Sequence, residues 1–334
     1  MKALLARFQT LRARMCGFAA GLRRLLHTRK VRIMRTISTI AVYVFLITIS
    51  YVFLYPIMKM LSLSVMSITD VVDPEIIWIP KHLSLANYSV VWFVLDGTAS
   101  LMNSVFYSTL LAVLQTVVSA LTGFAFARYE FRGKKLLYTL LLASFIIPVP
   151  ILLITQYTMF KEFYQSFDWS GPGRGLNTYQ SQIIMAFFGQ GVNSAILILI
   201  FINFFKMIPH DLYEAGKIDG ATPIQLFWHI TIRLSLSTIV VVFLFSFVWN
   251  WNETYVTRML VGDGVKLFMT RLDMFDDLFR QQASASPHPG TEVRLSEPFK
   301  MAATVISVIP LLILYFVGQK SFVEGIEKTG ITGE

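Results

Sequence analysis

Amide and aromatic side chains interrupt two otherwise apolar stretches of this chain, and both types suit noncovalent recognition. Aromatic faces pack on the C–H groups of a sugar ring, while amides exchange hydrogen bonds with its hydroxyls. The candidate residues for such a solute pathway are Gln190 and Asn193 in one stretch and Trp249, Asn250, Trp251, Asn252 and Tyr255 in the other. The alternative is that the aromatic residues form an interfacial belt and that the amides bridge helices.

Residues for covalent or nucleotide chemistry are sparse. The nearest carboxylate pair is Asp276-Asp277, which has no other catalytic neighbours in the sequence. Cys16 is the only cysteine, so an intrachain disulfide and a cysteine-based metal site are excluded. The chain has no Gly-x-x-x-x-Gly-Lys-Ser/Thr, so a nucleotide would have to bind to another protein. A membrane-embedded enzyme of glycan or lipid metabolism is therefore a less favoured alternative.

The elements that position these residues are predicted to be membrane-spanning helices. The 334 residues are 55% hydrophobic and 15% charged, whereas soluble domains carry about 25% charged residues. Six apolar runs approach the roughly 20 residues that a helix needs to cross a bilayer. They lie near 37–58, 101–127, 136–159, 181–205, 234–255 and 300–319. Because lipid offers the backbone no hydrogen-bond partners, the predicted fold is an all-α integral membrane protein.

Basic residues set the expected orientation. Ten of the 29 Lys and Arg residues lie within residues 1–35, and the remaining 19 balance 20 acidic residues, which argues against nucleic-acid binding. With the N-terminus inside, nineteen basic residues face the cytosol and ten face outward, so the positive-inside rule places both termini inside. The expected outer loops fall at about 67–100, 161–180 and 257–299, the last with a polar insert at 281–297.

The basic segment 1–35 has a pattern of its own. Its apolar residues recur every three or four positions, as at Leu4, Phe8 and Leu11, while most of its arginines lie off this stripe. We expect an amphipathic helix that lies on the anionic lipid of the inner leaflet. A presequence or a disordered basic arm is the alternative, since Gly17 and Gly21 weaken a helix.

The inner connection 206–233 carries clear helix boundaries. Pro209 suits a helix start, Gly220 suits the left-handed residue that ends a helix, and Thr222 to Gln225 has the capping-box spacing. Two short helices are therefore predicted to meet at Asp219-Gly220. The second helix carries apolar residues, among them Phe227, that should dock on membrane helices or on a partner.

The same connection resembles a known family motif. Glu214-Ala215-Gly216-Lys217-Ile218-Asp219-Gly220-Ala221, with Ile230 ten residues after Gly220, is similar to the EAA loop of ABC importer permeases of the maltose-transporter type. The pair Trp251-Asn252 and the exit Phe126-Ala127-Arg128 support the resemblance, which covers about 37–333 and leaves the basic tail and the polar insert outside it.

The resemblance implies a six-helix permease domain over 36–334 in a bacterial cytoplasmic membrane. Its implied partners are a second related permease, two ATPase subunits that bind ATP and Mg²⁺, and an extracytoplasmic solute-binding protein. This chain would hold no cofactor, and the solute would be a sugar or oligosaccharide. The implied ATPase-coupling residues are Glu214, Ala215, Gly216, Asp219, Gly220, Ala221 and Phe227.

Two positions depart from the family pattern, and one alternative mechanism stays open. Gly216 stands where alanine is usual, which should loosen the coupling helix by about 1 kcal/mol of helix preference. Arg233 stands where proline is usual, so the family's proline is absent where the chain enters the fifth run. An ion-coupled secondary carrier is less favoured, because the centres of the apolar runs lack the ionisable residues of a proton relay.

Overall fold

The computed structural model describes residues 34–169, 173–284 and 296–330. Residues 1–33, most of the basic segment, and residues 285–295 of the polar insert lie outside this part of the chain. The chain divides after Met60 into two units. Helix α1 (Met34–Ser64) is 31 residues long, enough to cross a bilayer, and its side chains from 34 to 58 are exposed. The first apolar run is therefore helical, as predicted.

The second unit is a bundle of helices. In chain order, they are α2 (Ile68–Val72), α3 (Ala86–Val94), α4 (Gly97–Arg128), α5 (Lys134–Ile146), α6 (Val149–Ser166), α7 (Gln180–Phe187), α8 (Ser194–Met207), α9 (His210–Ile218), α10 (Pro223–Leu226), α11 (Leu236–Asn252), α12 (Tyr255–Leu260), α13 (Phe268–Asp273), α14 (Phe275–Ser284) and α15 (Glu297–Gly330). A π-helical turn, Phe227–Ile232, follows α10. Within the described residues the only β pairing is a bridge between Met66 and Leu83. The all-α prediction is confirmed.

Helix α4 is the centre of the bundle. It packs most extensively against α8 and α11. One face carries a buried stripe of small residues at four-residue spacing: Ser100, Ser104, Ser108, Ala112, Thr116 and Ala120. Small side chains let neighbouring backbones approach closely within a membrane. At Gly123 the approach leaves no room for a side chain, because a Cβ there would lie 2.5 Å from Phe201 Cβ.

Two of the predicted apolar runs are broken rather than continuous. The run 136–159 bends by 105° between α5 and α6, where Pro148 precedes the first turn of α6 and Pro150 lies within it. Proline lacks an N–H and disfavours helix in the residue before it, which accounts for the break. The run 181–205 is interrupted between Phe187 and Ser194 by a six-residue break. Among the described residues, three helices can each cross a membrane alone, and up to six spans exist if each bent pair counts as one.

The expected outer loops contain helices of their own. The stretch 67–100 includes α2 and α3, α6 continues beyond residue 161 to Ser166, and the stretch 257–299 includes α13 and α14. Helices α3, α13, α14 and α15 share a core that contains Val91, Phe268 and Phe275. Phe275 and Phe279 stack at 5.8 Å and bury the apolar side of α14, so this part of the third expected outer loop is packed structure rather than an open loop.

Candidate coupling loop and solute pathway

The connection 206–233 folds into two short helical segments, as its boundary signals predict. Helix α9 begins after Pro209 and bends by 75° from α8. Helix α10 begins with a complete capping box, in which Thr222 Oγ1 accepts from Gln225 N–H and Gln225 Oε1 accepts from Thr222 N–H. The π-helical turn leads into α11 through a bend of 86°. The loop therefore consists of two short helical segments that meet α8 and α11 at steep bends.

The turn between the two segments depends on Gly220. Its φ is +82°, in the left-handed region that favours glycine. Gly220 N–H donates to Lys217 C=O at 3.0 Å, and Ala221 N–H donates to Gly216 C=O at 2.9 Å. These two bonds form a Schellman motif, which satisfies the last carbonyls of α9. The motif sets the direction in which Asp219 and Gly220 are presented.

A buried cluster mounts the loop on the membrane helices. Tyr213 from α9 and Phe227 from the π-helical turn pack with Phe124 of α4 and Phe205 of α8. The Phe124 and Phe227 rings lie 5.1 Å apart, and the Tyr213 hydroxyl bonds to Thr231 Oγ1 at 2.8 Å. Of the predicted ATPase-coupling residues, Phe227 is thus buried in the bundle, where its packing attaches the loop to α4 and α8.

The remaining predicted coupling residues lie on or beside the free surface of the loop. Glu214, Ala215, Asp219 and Gly220 are exposed, while Gly216 and Ala221 are half-buried. Glu214 Oε1 lies 3.1 Å from His210 Nδ1, one turn back along α9. At the tip, Ile218 is 86% exposed. This combination gives a projecting apolar tip flanked by charge.

Gly216 has a packing role that its sequence position does not reveal. A Cβ there would lie 2.6 Å from Leu226 Cδ2 and 3.3 Å from Ile230 Cδ1. Leu226 is buried, so its side chain has little room to withdraw. The glycine therefore allows α9 to lie close against the second segment.

Arg128, the last residue of α4, joins the loop to the bundle. Its Nη2 donates to the carbonyls of Phe205 and Ile208 at the end of α8, the second at 2.6 Å. Its guanidinium carbon lies 4.0 Å from the centre of the Tyr213 ring on α9. The Arg128 guanidinium thus caps the end of α8 and makes a cation–π contact with α9. In the sequence Arg128 marked only the exit of a span, since no local pattern shows a contact across 85 residues.

The break between α7 and α8 lines a cavity of about 440 Å³. Its polar lining includes Thr122, Ser144, Gln156, Gln190, Asn193 and Glu253. Asn193 has φ +54° and Gly189 has φ +71°, so left-handed residues stand near both ends of the break. The structure therefore places the first pair of predicted pathway residues, Gln190 and Asn193, on one cavity wall. Gln156 and Glu253 share that cavity, and the sequence patterns had not grouped them with it.

The other five predicted pathway residues do not line this cavity. Asn250 and Trp251 are buried, and Trp251 stacks on Phe247 at 5.9 Å. Trp249 is half-buried and stacks on Phe245, whereas Asn252 and Tyr255 are exposed. Consecutive helical residues point about 100° apart, so a cluster that is compact in sequence is spread around the helix.

Of the carboxylate pair Asp276-Asp277, Asp276 forms a salt bridge. Lys300 Nζ lies 2.6 Å from Asp276 Oδ2 and ties α14 to α15. The hydrogen bond from Lys300 lowers the pKa of Asp276, which keeps its carboxylate ionised. Within the described ranges, no group of three or more His, Cys, Asp or Glu residues could hold a metal ion.

Comparisons with known proteins agree with this architecture. The polygalacturonan/rhamnogalacturonan transport system permease protein YtcP of Bacillus subtilis is 26% identical over 85% of this chain and 94% of its own length. The maltose/maltodextrin transport system permease protein MalG of Photorhabdus laumondii is 29% identical over 88% of this chain and 96% of its own.

A solved structure has the same fold. It belongs to a bacterial ABC transporter involved in the import of the acidic polysaccharide alginate, and the match has a TM-score of 0.64 at 21% identity over 86% of this chain and 96% of the other. Residues 115–328, which include α9, the Gly220 turn and the cavity-lining break, match the family described as binding-protein-dependent transport system inner membrane component. This chain is therefore a transport subunit rather than an enzyme, and it belongs to the family of binding-protein-dependent inner membrane transport components.

Proposed function

We propose that this chain is the permease subunit of an ATP-driven importer for a sugar or oligosaccharide. The observation that carries the proposal is the Asp219-Gly220 turn, which projects an exposed tip from a loop mounted on α4 and α8. A tip of this kind suits insertion into a partner, and its rigid mounting suits transmission of a rigid-body motion. The family relationship supports an ATPase as that partner.

In this proposal the motor is a separate pair of ATPase subunits that bind ATP and Mg²⁺. The loop faces the cytosol, and a second related permease completes the pathway. Closure of the ATPase subunits moves α9, and the buried contacts of Tyr213 and Phe227 pass the motion to α4 and α8. A transporter that goes from mostly inward-facing to mostly outward-facing needs about 5.5 kcal/mol of differential interaction, which ATP binding and hydrolysis can supply.

The solute class rests on the cavity and on the relatives. Amides, hydroxyls and aromatic rings line the cavity, and they match the two kinds of surface on a sugar ring. The related permeases are named for maltodextrin, for polygalacturonan and rhamnogalacturonan, and for diacetylchitobiose. An external binding protein would deliver the solute to the outer segments.

Reconstitution tests this function. The chain is assembled in liposomes with its second permease, its ATPase and its binding protein, and uptake of labelled oligosaccharides is measured with and without ATP. We expect uptake that needs both ATP and the binding protein. Uptake driven by an ion gradient without nucleotide would instead establish the secondary carrier, and uptake by this polypeptide alone would exclude the proposed assembly.

A further inference from the structure

A buried amide on α4 holds the break between α7 and α8. Gln115 is 1% exposed and bonds to two other parts of the bundle. Its Oε1 accepts from Ser246 Oγ and, at 3.0 Å, from Asn250 Nδ2, both on α11. Its Nε2 donates to the carbonyl of Val192 in the break at 3.4 Å. One side chain thus connects α4, α11 and the cavity wall.

The break lies close against this amide at Gly191. A Cβ at Gly191 would lie 1.9 Å from Gln115 Nε2, so the amide occupies the space of a side chain. Asn250 completes the network on α11, because its Nδ2 also donates to the Ser246 carbonyl at 2.7 Å. Asn250, which the sequence suggested as a solute contact, is therefore engaged inside the bundle.

We propose that Gln115 is a positioning residue of the transport cycle. It fixes the α7–α8 break to α4 and α11 and thereby sets Gln190 and Asn193 at the cavity wall. Because Oε1 is bound to α11 and Nε2 to the break, a shift of α11 against α4 changes the bonds that hold the break. Gln115 acts through the break and touches no solute. This inference rests on the proposed function, since it deepens the role of the same cavity.

The test reads the position of the break directly. Asn193→Cys is introduced together with Cys16→Ser, and the complete importer is reconstituted in liposomes. The labelling rate with N-ethylmaleimide is then measured with and without ATP and Mg²⁺. Gln115→Met keeps the length of the side chain and removes its polar atoms, whereas Gln115→Glu keeps the acceptors and removes the donor to Val192. Ser119→Ala is the control, a buried hydroxyl on α4 with no hydrogen-bond partner in the described part of the chain.

We expect labelling at position 193 to depend on nucleotide in the parent. Both Gln115 variants should label about tenfold faster and lose that dependence, while Ser119→Ala behaves like the parent. Parent-like labelling in both Gln115 variants would overturn the proposal, as would failure of both to assemble, since Gln115 would then serve folding alone. Sugar uptake is measured in parallel, in liposomes that contain the importer with Cys16→Ser alone. Absence of uptake would count against the proposed function, whereas the labelling readout does not depend on the solute.

Discussion

At the scale of single residues, three glycines lie where either the backbone conformation or the available space disfavours a side chain. Gly220 ends α9 in the left-handed region, Gly191 leaves room for the Gln115 amide, and Gly123 lets α8 approach α4. The role of Gly220 could be predicted from sequence, because its spacing to the capping box is local. The roles of Gly191 and Gly123 could not, because the groups that crowd them lie more than seventy residues away in the chain.

Gly220→Ala tests the turn. Alanine in the left-handed region costs about 1–2 kcal/mol, so the variant should shift the tip of α9 and lower sugar uptake per ATP hydrolysed. Gly133→Ala is a matched control, because Gly133 has φ +85° and equally open surroundings but lies outside the 206–233 loop. Uptake and ATP hydrolysis are measured together in proteoliposomes. Equal loss of coupling in both variants would show that strain alone, and not the position of the turn, is responsible.

Asp70 gives the segment 66–85 an acid-sensitive contact. His82 N–H donates to Asp70 Oδ2 at 2.7 Å, and this bond is the main cause of the lowered pKa of Asp70. A lowered carboxyl pKa stabilises the folded form at pH values above the ordinary carboxyl pKa of about 3.9, and this stability is lost as the pH falls from that value through the lowered pKa of the folded form. Amide exchange over residues 66–85 should therefore accelerate on acidification from pH 6, after correction for intrinsic rates. In the Asp70→Asn variant, amide exchange over residues 66–85 should be fast at every pH tested. If the variant instead shows the same pH profile as the parent protein, the Asp70 contact is not responsible.

At the scale of elements, sequence patterns predicted which segments are helical better than where helices break. The apolar runs identified α1, α4 and α15, because a long uncharged segment in lipid must satisfy its backbone hydrogen bonds internally and therefore forms a helix. Gly189 and Gly191, beside Gln190 and Asn193, predict a locally loosened helix that lines a cavity, but they do not predict an interruption over all of 188–193. The buried amide of Gln115 donates to the carbonyl of Val192 in this break, and no periodicity reveals that contact.

The close packing of α9 against Leu226 predicts that the effect of Gly216→Ala on stability depends on the residue at position 226. Gly216→Ala gains about 1 kcal/mol of helix preference, but its Cβ collides with Leu226 Cδ2, and overpacking costs about 1–3 kcal/mol. The variant should therefore lower the melting temperature of the purified importer. With Leu226→Val, which removes the δ-methyl groups, the same substitution should raise it. A shift of the same sign in both backgrounds would contradict this packing.

Arg128 predicts a coupling defect that originates on α4. Arg128→Ala removes two charge-assisted hydrogen bonds to carbonyls, each with a typical net value of about 1.5–3 kcal/mol, and the contact with Tyr213. We expect ATP hydrolysis to persist while sugar uptake falls, since the loop loses its connection to the bundle. Arg132→Ala, at an exposed position four residues later, is the control. Parallel loss of hydrolysis and uptake in Arg128→Ala would indicate failed assembly rather than uncoupling.

At the scale of the whole molecule, the central helix α4 connects the 206–233 loop with the break between α7 and α8. Helix α4 contacts the coupling loop through Phe124 and Arg128, and it contacts the cavity break through Gln115. The family and the fold class were predictable from the 206–233 motif and the apolar runs. The connection between the 206–233 loop and the cavity break could not be predicted, because it depends on pairs of residues that come into contact only in the folded bundle.

The most direct test of the coupling mechanism is a photo-crosslink from the tip of α9. A benzophenone amino acid replaces Ile218, which is 86% exposed, and intact bacteria that express the complete importer are irradiated. The control places the same group at Ile146, which is also exposed but lies at the end of α5. We expect a covalent adduct between position 218 and the ATPase subunit, and none from position 146. An adduct of position 218 with the external binding protein, or no adduct with the ATPase, would contradict the proposed coupling.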